Sequence, residues 1–190
     1  MRKMRFMLVP GLVALVSTAA AQQPQQQTAA GGVATAAPTS GYRAEFLNEM
    51  KYFEARYTQL AEAIPAEKYT WRPGAEVRSV SEVLLHVAGA NQGLPNFAGI
   101  KPPAGFAMQG YEQSTTDKAK VLAELKKSFA HIQAAASQMK EADADKAMKV
   151  FGMDMTGRSF SFFMARHLGE HLGQLIAYAR VNGVVPPWSD

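Results

Sequence analysis

Apolar side chains return at alternating steps of three and four along four stretches of this chain, the spacing of a helix with one buried face. The first stretch runs from about Tyr42 to Ile64. Phe46, Met50, Phe53, Tyr57, Leu60 and Ile64 form its stripe, and Pro65 ends it. The second starts near Ser79, with Ser79 and Glu82 spaced as a capping box. Val83, Val87 and Ala90 carry its buried side, His86 falls on that side too, and the pattern weakens at Gly93 and Pro95. Lys101 to Gly110 holds two prolines and two glycines and reads as a loop. The third stretch begins after Ser114-Thr115-Thr116 and carries Leu122, Leu125, Phe129, Ile132, Ala136 and Met139. The fourth begins near Ser159 and stops at Asn182-Gly183, before Pro186 and Pro187. Phe160, Met164, His167, His171, Gln174, Tyr178 and Val181 fall on one line of it. Val150 to Arg158 is short, contains glycine and reads as a turn or hairpin. Four helices with short and medium loops, no convincing sheet and no internal repeat predict an all-α four-helix bundle.

The helical pattern is absent before Gly41. Arg2, Lys3 and Arg5 precede an apolar run from Phe6 to Val16 that only Pro10 and Gly11 interrupt. Small residues follow, ending in Ala19-Ala20-Ala21 before Gln22. This is the pattern of a secretory signal peptide over residues 1–21. The competing reading is a membrane anchor, but the run falls well short of the roughly 20 residues that span a bilayer. No twin-arginine pair is present, so general secretion and a periplasmic or secreted location are expected. Residues 22–40 are rich in Gln, Ala, Gly, Thr and Pro and carry almost no large apolar side chain, as a disordered linker does. The folded domain is expected over residues 41–190.

Composition narrows the chemistry. Of 190 residues 47% are apolar, enough for a packed core, and none is cysteine. Disulfides, thiolate ligands, iron–sulfur clusters and a cysteine nucleophile are excluded, and His, Asp and Glu remain as strong metal ligands. The formal charge of +4 includes the three basic residues of the leader, so the mature chain carries +1. Its other basic residues alternate with acids, and no basic stripe of the kind nucleic acid requires is present.

His167 and His171 stand four apart on the most periodic helix, one turn apart on one face, where two imidazoles can share an ion. Unpartnered, they would be costly to bury. His86, on the inward side of the second helix, supplies a third ligand from across the core. Three protein ligands and one open position make a catalytic zinc site. The alternative is a pair of core histidines bonded to backbone or water. His131 lies about 100° off its stripe and is expected to be solvated. His167 to His171 also matches H-x-x-E-H, but that peptidase motif needs an acidic ligand downstream, and only Asp190 follows.

Three groups of residues resemble the DinB-like family of metal-binding four-helix bundles. Trp71-Arg72-Pro73-Gly74, leading through Ser79-Val80-Ser81-Glu82 to Leu84-Leu85-His86-Val87, is similar to its W-x-P approach to a metal-binding His. His167 to Gln174 is similar to its H-x-x-x-H-x-G-Q signature. Tyr178, Arg180 and Asn182-Gly183 are similar to its closing Y-x-R-x-x-G. The resemblance spans roughly Gly41 to Trp188. It implies an up-down-down-up bundle and a metal triad of His86, His167 and His171. Glu170 stands where many members carry a further His, and Leu172 where Arg is common, departures expected to alter the wall of the site. Some similar proteins transfer small cytosolic thiols, which does not fit an exported chain.

Two functions follow as expectations. One is a metal-dependent transferase or hydrolase acting on a small molecule, with zinc as the first choice and nickel, iron or manganese as others that accept imidazole. In it Glu170 is either a base or a solvated surface residue, and Gln174 either orients a ligand or is a bonded core amide. The other is a non-enzymatic periplasmic metal- or small-molecule-binding module. A role on DNA rests on the family name alone. Trp71, Trp188 and Tyr69 either line a pocket or pack loops onto the bundle. Partners open to such a chain are a small-molecule substrate and a second copy in a homodimer, and no pattern in the sequence selects the oligomeric state. Nucleic acid is not expected, nor is a stable membrane anchor once the leader is cleaved.

Overall fold

The computed structural model describes residues 37–189. The expected leader, and the linker as far as residue 36, lie outside the described residues. Four α-helices make the bundle: α1 (Gly41–Ala63), α2 (Val80–Gly93), α3 (Lys118–Gln138) and α4 (Gly157–Val181). The periodic stripes are its core. Every member of the α1 stripe is buried, from Phe46 to Ile64. Full burial of such a side chain stabilises by roughly 1.5–3 kcal/mol. The α2 start is the expected capping box: Glu82 N–H donates to Ser79 Oγ, and Ser79 N–H donates to Glu82 Oε2. Thr156 and Ser159 form a second box at the start of α4.

Cross-helix contacts fix the topology. Arg158 lies over the Tyr42 ring, and Tyr57 Oη donates to the Leu168 carbonyl at 2.7 Å, so α1 and α4 run parallel. Lys118 Nζ reaches the Glu62 and Ile64 carbonyls while Arg43 bonds the Ser137 carbonyl, so α3 opposes α1. Tyr178 Oη donates to the Arg78 carbonyl, and His86 meets His167, so α2 opposes α4. The order is up-down-down-up. α3 and α4 each pack on both α1 and α2.

Two stripes differ in detail from expectation. On α3, Val121 is fully buried and Leu122 only partly, because the helix packs on two neighbours and its buried face is wider than one row. On α4, Val181 is 74% exposed, since it ends the helix beyond the last packed turn. The core row of α4 is Phe160, Met164, Leu168, Leu172, Leu175 and Ala179; His167, His171 and Gln174 flank it, half-buried. The segment read as a turn or hairpin is an antiparallel pair, β1 (Ala147–Val150) and β2 (Met153–Thr156), joined by Phe151-Gly152. Tyr69, Trp71 and Trp188 pack loops onto the helices. Tyr69 is fully buried with its hydroxyl on the Ala61 carbonyl, Trp71 stands edge-on to Tyr178, and Arg56 covers Trp188. Among the described residues no helix is long and apolar enough to cross a membrane.

Candidate metal centre

Antiparallel α2 and α4 bring His86, His167 and His171 together. One ligand atom from each lies within 4.8 Å of the other two. The rings are 4.5–5.0 Å apart, centroid to centroid, and His86 Nε2 stands 3.0 Å from His167 Nε2. A tetrahedral ion bonded at about 2.0–2.1 Å holds two ligand nitrogens roughly 3.3 Å apart. The donor set and its spacing therefore suit a divalent metal ion, and the three imidazoles could hold one.

Groups behind the rings fix which nitrogen faces inward. His86 Nδ1 lies 2.6 Å from Glu112 Oε1. Burial, with Arg78 and His171 nearby, holds the His86 imidazole below its ordinary pKa despite the carboxylate. The ring is thus neutral near pH 7, its Nδ1–H donates to Glu112, and its Nε2 lone pair faces His167 Nε2 at 3.0 Å. Arg78 in turn grips Glu112 with two bonds, Nε to Oε2 at 2.6 Å and Nη2 to Oε1 at 3.1 Å. Burial tends to raise the Glu112 pKa, but the bonds from Arg78 and His86 outweigh it and leave the carboxyl below its usual value. On the other side His171 Nδ1–H donates to Gln174 Oε1 at 2.9 Å. Gln174 Nε2 donates to Tyr178 Oη, which donates to the Arg78 carbonyl. Both relays end on Arg78, just before the α2 cap.

His167 is held differently. Its Nδ1 is buried and has no hydrogen-bond partner among the described residues. Burial, then the neighbouring imidazoles of His171 and His86, push its pKa down to about 4. It is therefore neutral near pH 7.

Glu112 and Arg78 were not visible in the sequence pattern. Glu112 sits in a short 3-10 turn, Tyr111–Gln113, at the end of the loop between α2 and α3. Tyr111 pins that turn: its hydroxyl accepts from Gln92 Nε2 and donates to Glu124 Oε2, both at 2.6 Å. Gly89 lets the loop approach, since a Cβ there would lie 3.2 Å from Met108 Sδ and from the Tyr111 ring.

Other candidates separate. Gln174 is the orienting amide behind His171. Glu170 is exposed beside Arg166 and away from the rings, and Leu172 is buried in the core, so neither lines the cleft over the site. His131 is not the solvated residue expected. It is half-buried with Nε2 enclosed and unbonded, because α3 packs on two neighbours, and burial lowers its pKa. It is not part of the cluster.

A cleft of about 640 Å3 opens above His86 and His167. Glu112 and Asn96 are its polar rim, and Phe97, Phe106, Met108, Phe151 and Phe163 form much of its wall.

Residues 49–175, more than half of the chain, match the family model of the DinB superfamily. The chain belongs to the DinB superfamily. Two solved structures of superfamily proteins share its fold. A DinB-like protein from Bacillus cereus is 18% identical, with a TM-score of 0.65 over 76% of this chain and 95% of that one. A DinB-like protein from Bacillus subtilis is 21% identical, with a TM-score of 0.58 over 73% of this chain and 92% of that one. No curated protein matches this chain.

Proposed function

We propose that this DinB-superfamily protein is an exported metal-dependent enzyme acting on a small molecule, with His86, His167 and His171 holding one divalent ion, zinc before nickel, iron or manganese. The observation that carries the reading is the convergence of three half-buried imidazoles, two of which, His86 and His167, form the floor of an open cleft. A structural site closes its coordination sphere, whereas a catalytic one keeps a position free on the substrate side. An ion held there supplies Lewis acidity to a donor atom of the substrate. The chain's own residues set the stage. Glu112 and Gln174 hold two of the rings by their outer nitrogens, and Arg78 keeps Glu112 ionised. The apolar wall limits water around the reacting atoms. Export is supported by the leader pattern of residues 1–21.

The test is metal analysis of protein purified from its native compartment, then comparison of stripped and reloaded protein on a panel of transfer and hydrolysis substrates. Near-stoichiometric metal and activity that returns only on reloading are expected. Metal-free native protein would overturn the reading. Full metal with no activity on any substrate would favour the non-enzymatic binding module instead.

A further inference from the structure

The tip of the β-hairpin is built against local preference. Val150 pairs with Met153, so Phe151 and Gly152 are the whole turn, and both have positive φ, 50° and 81°. A two-residue turn of this kind favours Asn, Asp or Gly at each position. Gly152 conforms. Phe151 is the only described non-glycine residue with positive φ, and the residue is 64% exposed. A large apolar side chain in a disfavoured conformation, facing water, is poor for folding, and such outliers cluster at ligand sites. Its ring does not hang free. It stands edge-on to Phe97 at 5.0 Å and leans on Phe163 at 6.5 Å, over the cleft whose floor is His86 and His167.

The wall of that cleft has a definite chemistry. Leu94, Phe97, Phe106, Met108, Phe151 and Phe163 give it an apolar character, and no Lys or Arg lines it. Arg78, the cation behind the site, is already engaged by Glu112. At about 640 Å3 the cleft is within the range of roughly 300–1,000 Å3 typical of small-molecule sites. Imidazole nitrogens coordinate without adding charge, so a divalent ion held by the three rings would keep its full charge at the floor. An anionic donor on the ion is matched there, whereas an anionic group further out along the body would meet an apolar wall with Glu112 as its charged side chain and no Lys or Arg.

Resting on the metal reading above, we infer that the site takes a small molecule with a single anionic, metal-directed head and an apolar, aromatic-bearing body, and that Phe151 and Phe97 clamp that body. Polyanionic and strongly polar molecules are disfavoured by the same wall.

The test uses the full chain loaded with zinc, with metal content measured for every variant. Three hydroxamates share one metal-binding head: acetohydroxamate, 3-phenylpropionohydroxamate and succinic monohydroxamate. Calorimetric titration should show the phenyl compound binding about tenfold or more tighter than acetohydroxamate. The succinic compound should gain nothing over acetohydroxamate. Phe151→Asn and Phe97→Ala should each erase most of the phenyl advantage and leave acetohydroxamate affinity unchanged. Phe151→Asn should also melt no lower than the original chain, because Asn accepts the turn conformation. A loaded protein with no phenyl preference overturns the inference alone, including the case in which a second copy of the chain covers this face. So does a phenyl preference that survives both substitutions. A wild type that cannot hold metal overturns the metal reading and this inference with it.

Discussion

At the scale of single residues, the three histidines are unequal. His86 and His171 are each held by an acceptor on Nδ1, while His167 has its Nδ1 buried without a partner and meets His86 through Nε2. Replacing any one with Ala should cut metal content per chain sharply, and His131→Ala, outside the cluster, should not. Full occupancy in both His167→Ala and His171→Ala would remove the site. In the same assay Glu112→Gln keeps an acceptor for His86 but loses the charge that Arg78 grips. Loss of such an outer partner costs roughly 10–100-fold in metal affinity. Protonation adds a pH test. In the metal-free protein the His86 pKa lies below its ordinary value and that of His167 falls to about 4, mainly through burial. The unfolded chain, with ordinary imidazoles near about 6.5, then binds more protons than the folded one across that interval. Stability of the metal-free protein is therefore complete above about pH 6.5 and falls as pH drops toward 4. Denaturant titrations at several pH values should show the slope, and His167→Ala should flatten it.

At the scale of elements, the helices were legible because each buries one face and so prints its period on the sequence. His167 and His171 of the candidate site were legible for a related reason: a four-residue step on a helix fixes their separation whatever surrounds it. Edges were less clear. Leu122 and Val121 differ in burial only because α3 has two neighbours, which no single-helix pattern contains. Glu112 and Arg78 left no signal at all. Their places depend on how an irregular loop of some twenty residues returns to α2, through Tyr111 and the open face of Gly89. That loop carries its own prediction. Gly89→Val should favour α2 locally no less than glycine does, since glycine costs roughly 1 kcal/mol in a helix interior relative to alanine. Yet the added methyls meet Tyr111, which two hydrogen bonds hold in place, and should push the Glu112 turn away from His86. The expected result is weaker metal binding with unchanged helix content by circular dichroism. Unaltered affinity would show that the loop does not depend on this approach.

At the scale of the whole molecule, the three candidate ligands come from two helices that lie far apart in the chain, so an ion held by them would act as a cross-link specific to the folded state. The export proposed from the leader pattern would put assembly outside the cytoplasm. N-terminal sequencing of native material should begin at or near Gln22, and an intact Met1 in a cytosolic fraction would contradict export. The stripes of four helices already give the metal-free bundle a core, so the chain should fold without metal and gain stability with it. Free metal at about 100 times Kd adds roughly 2.7 kcal/mol. For a domain of this size that is a rise of about 5–10 °C in melting temperature, at roughly 2–4 °C per kcal/mol. The increment belongs to the cluster and not to residues 22–40, which have little apolar surface to bury. A chain lacking residues 22–40 should therefore melt where the full mature chain does, with and without metal. Removing His167 should abolish the increment in both lengths while leaving the metal-free melting temperature nearly unchanged, measured above pH 6.5 where its protonation does not intervene. An equal metal-dependent rise in the His167→Ala chain would place the stabilising ion elsewhere on the protein.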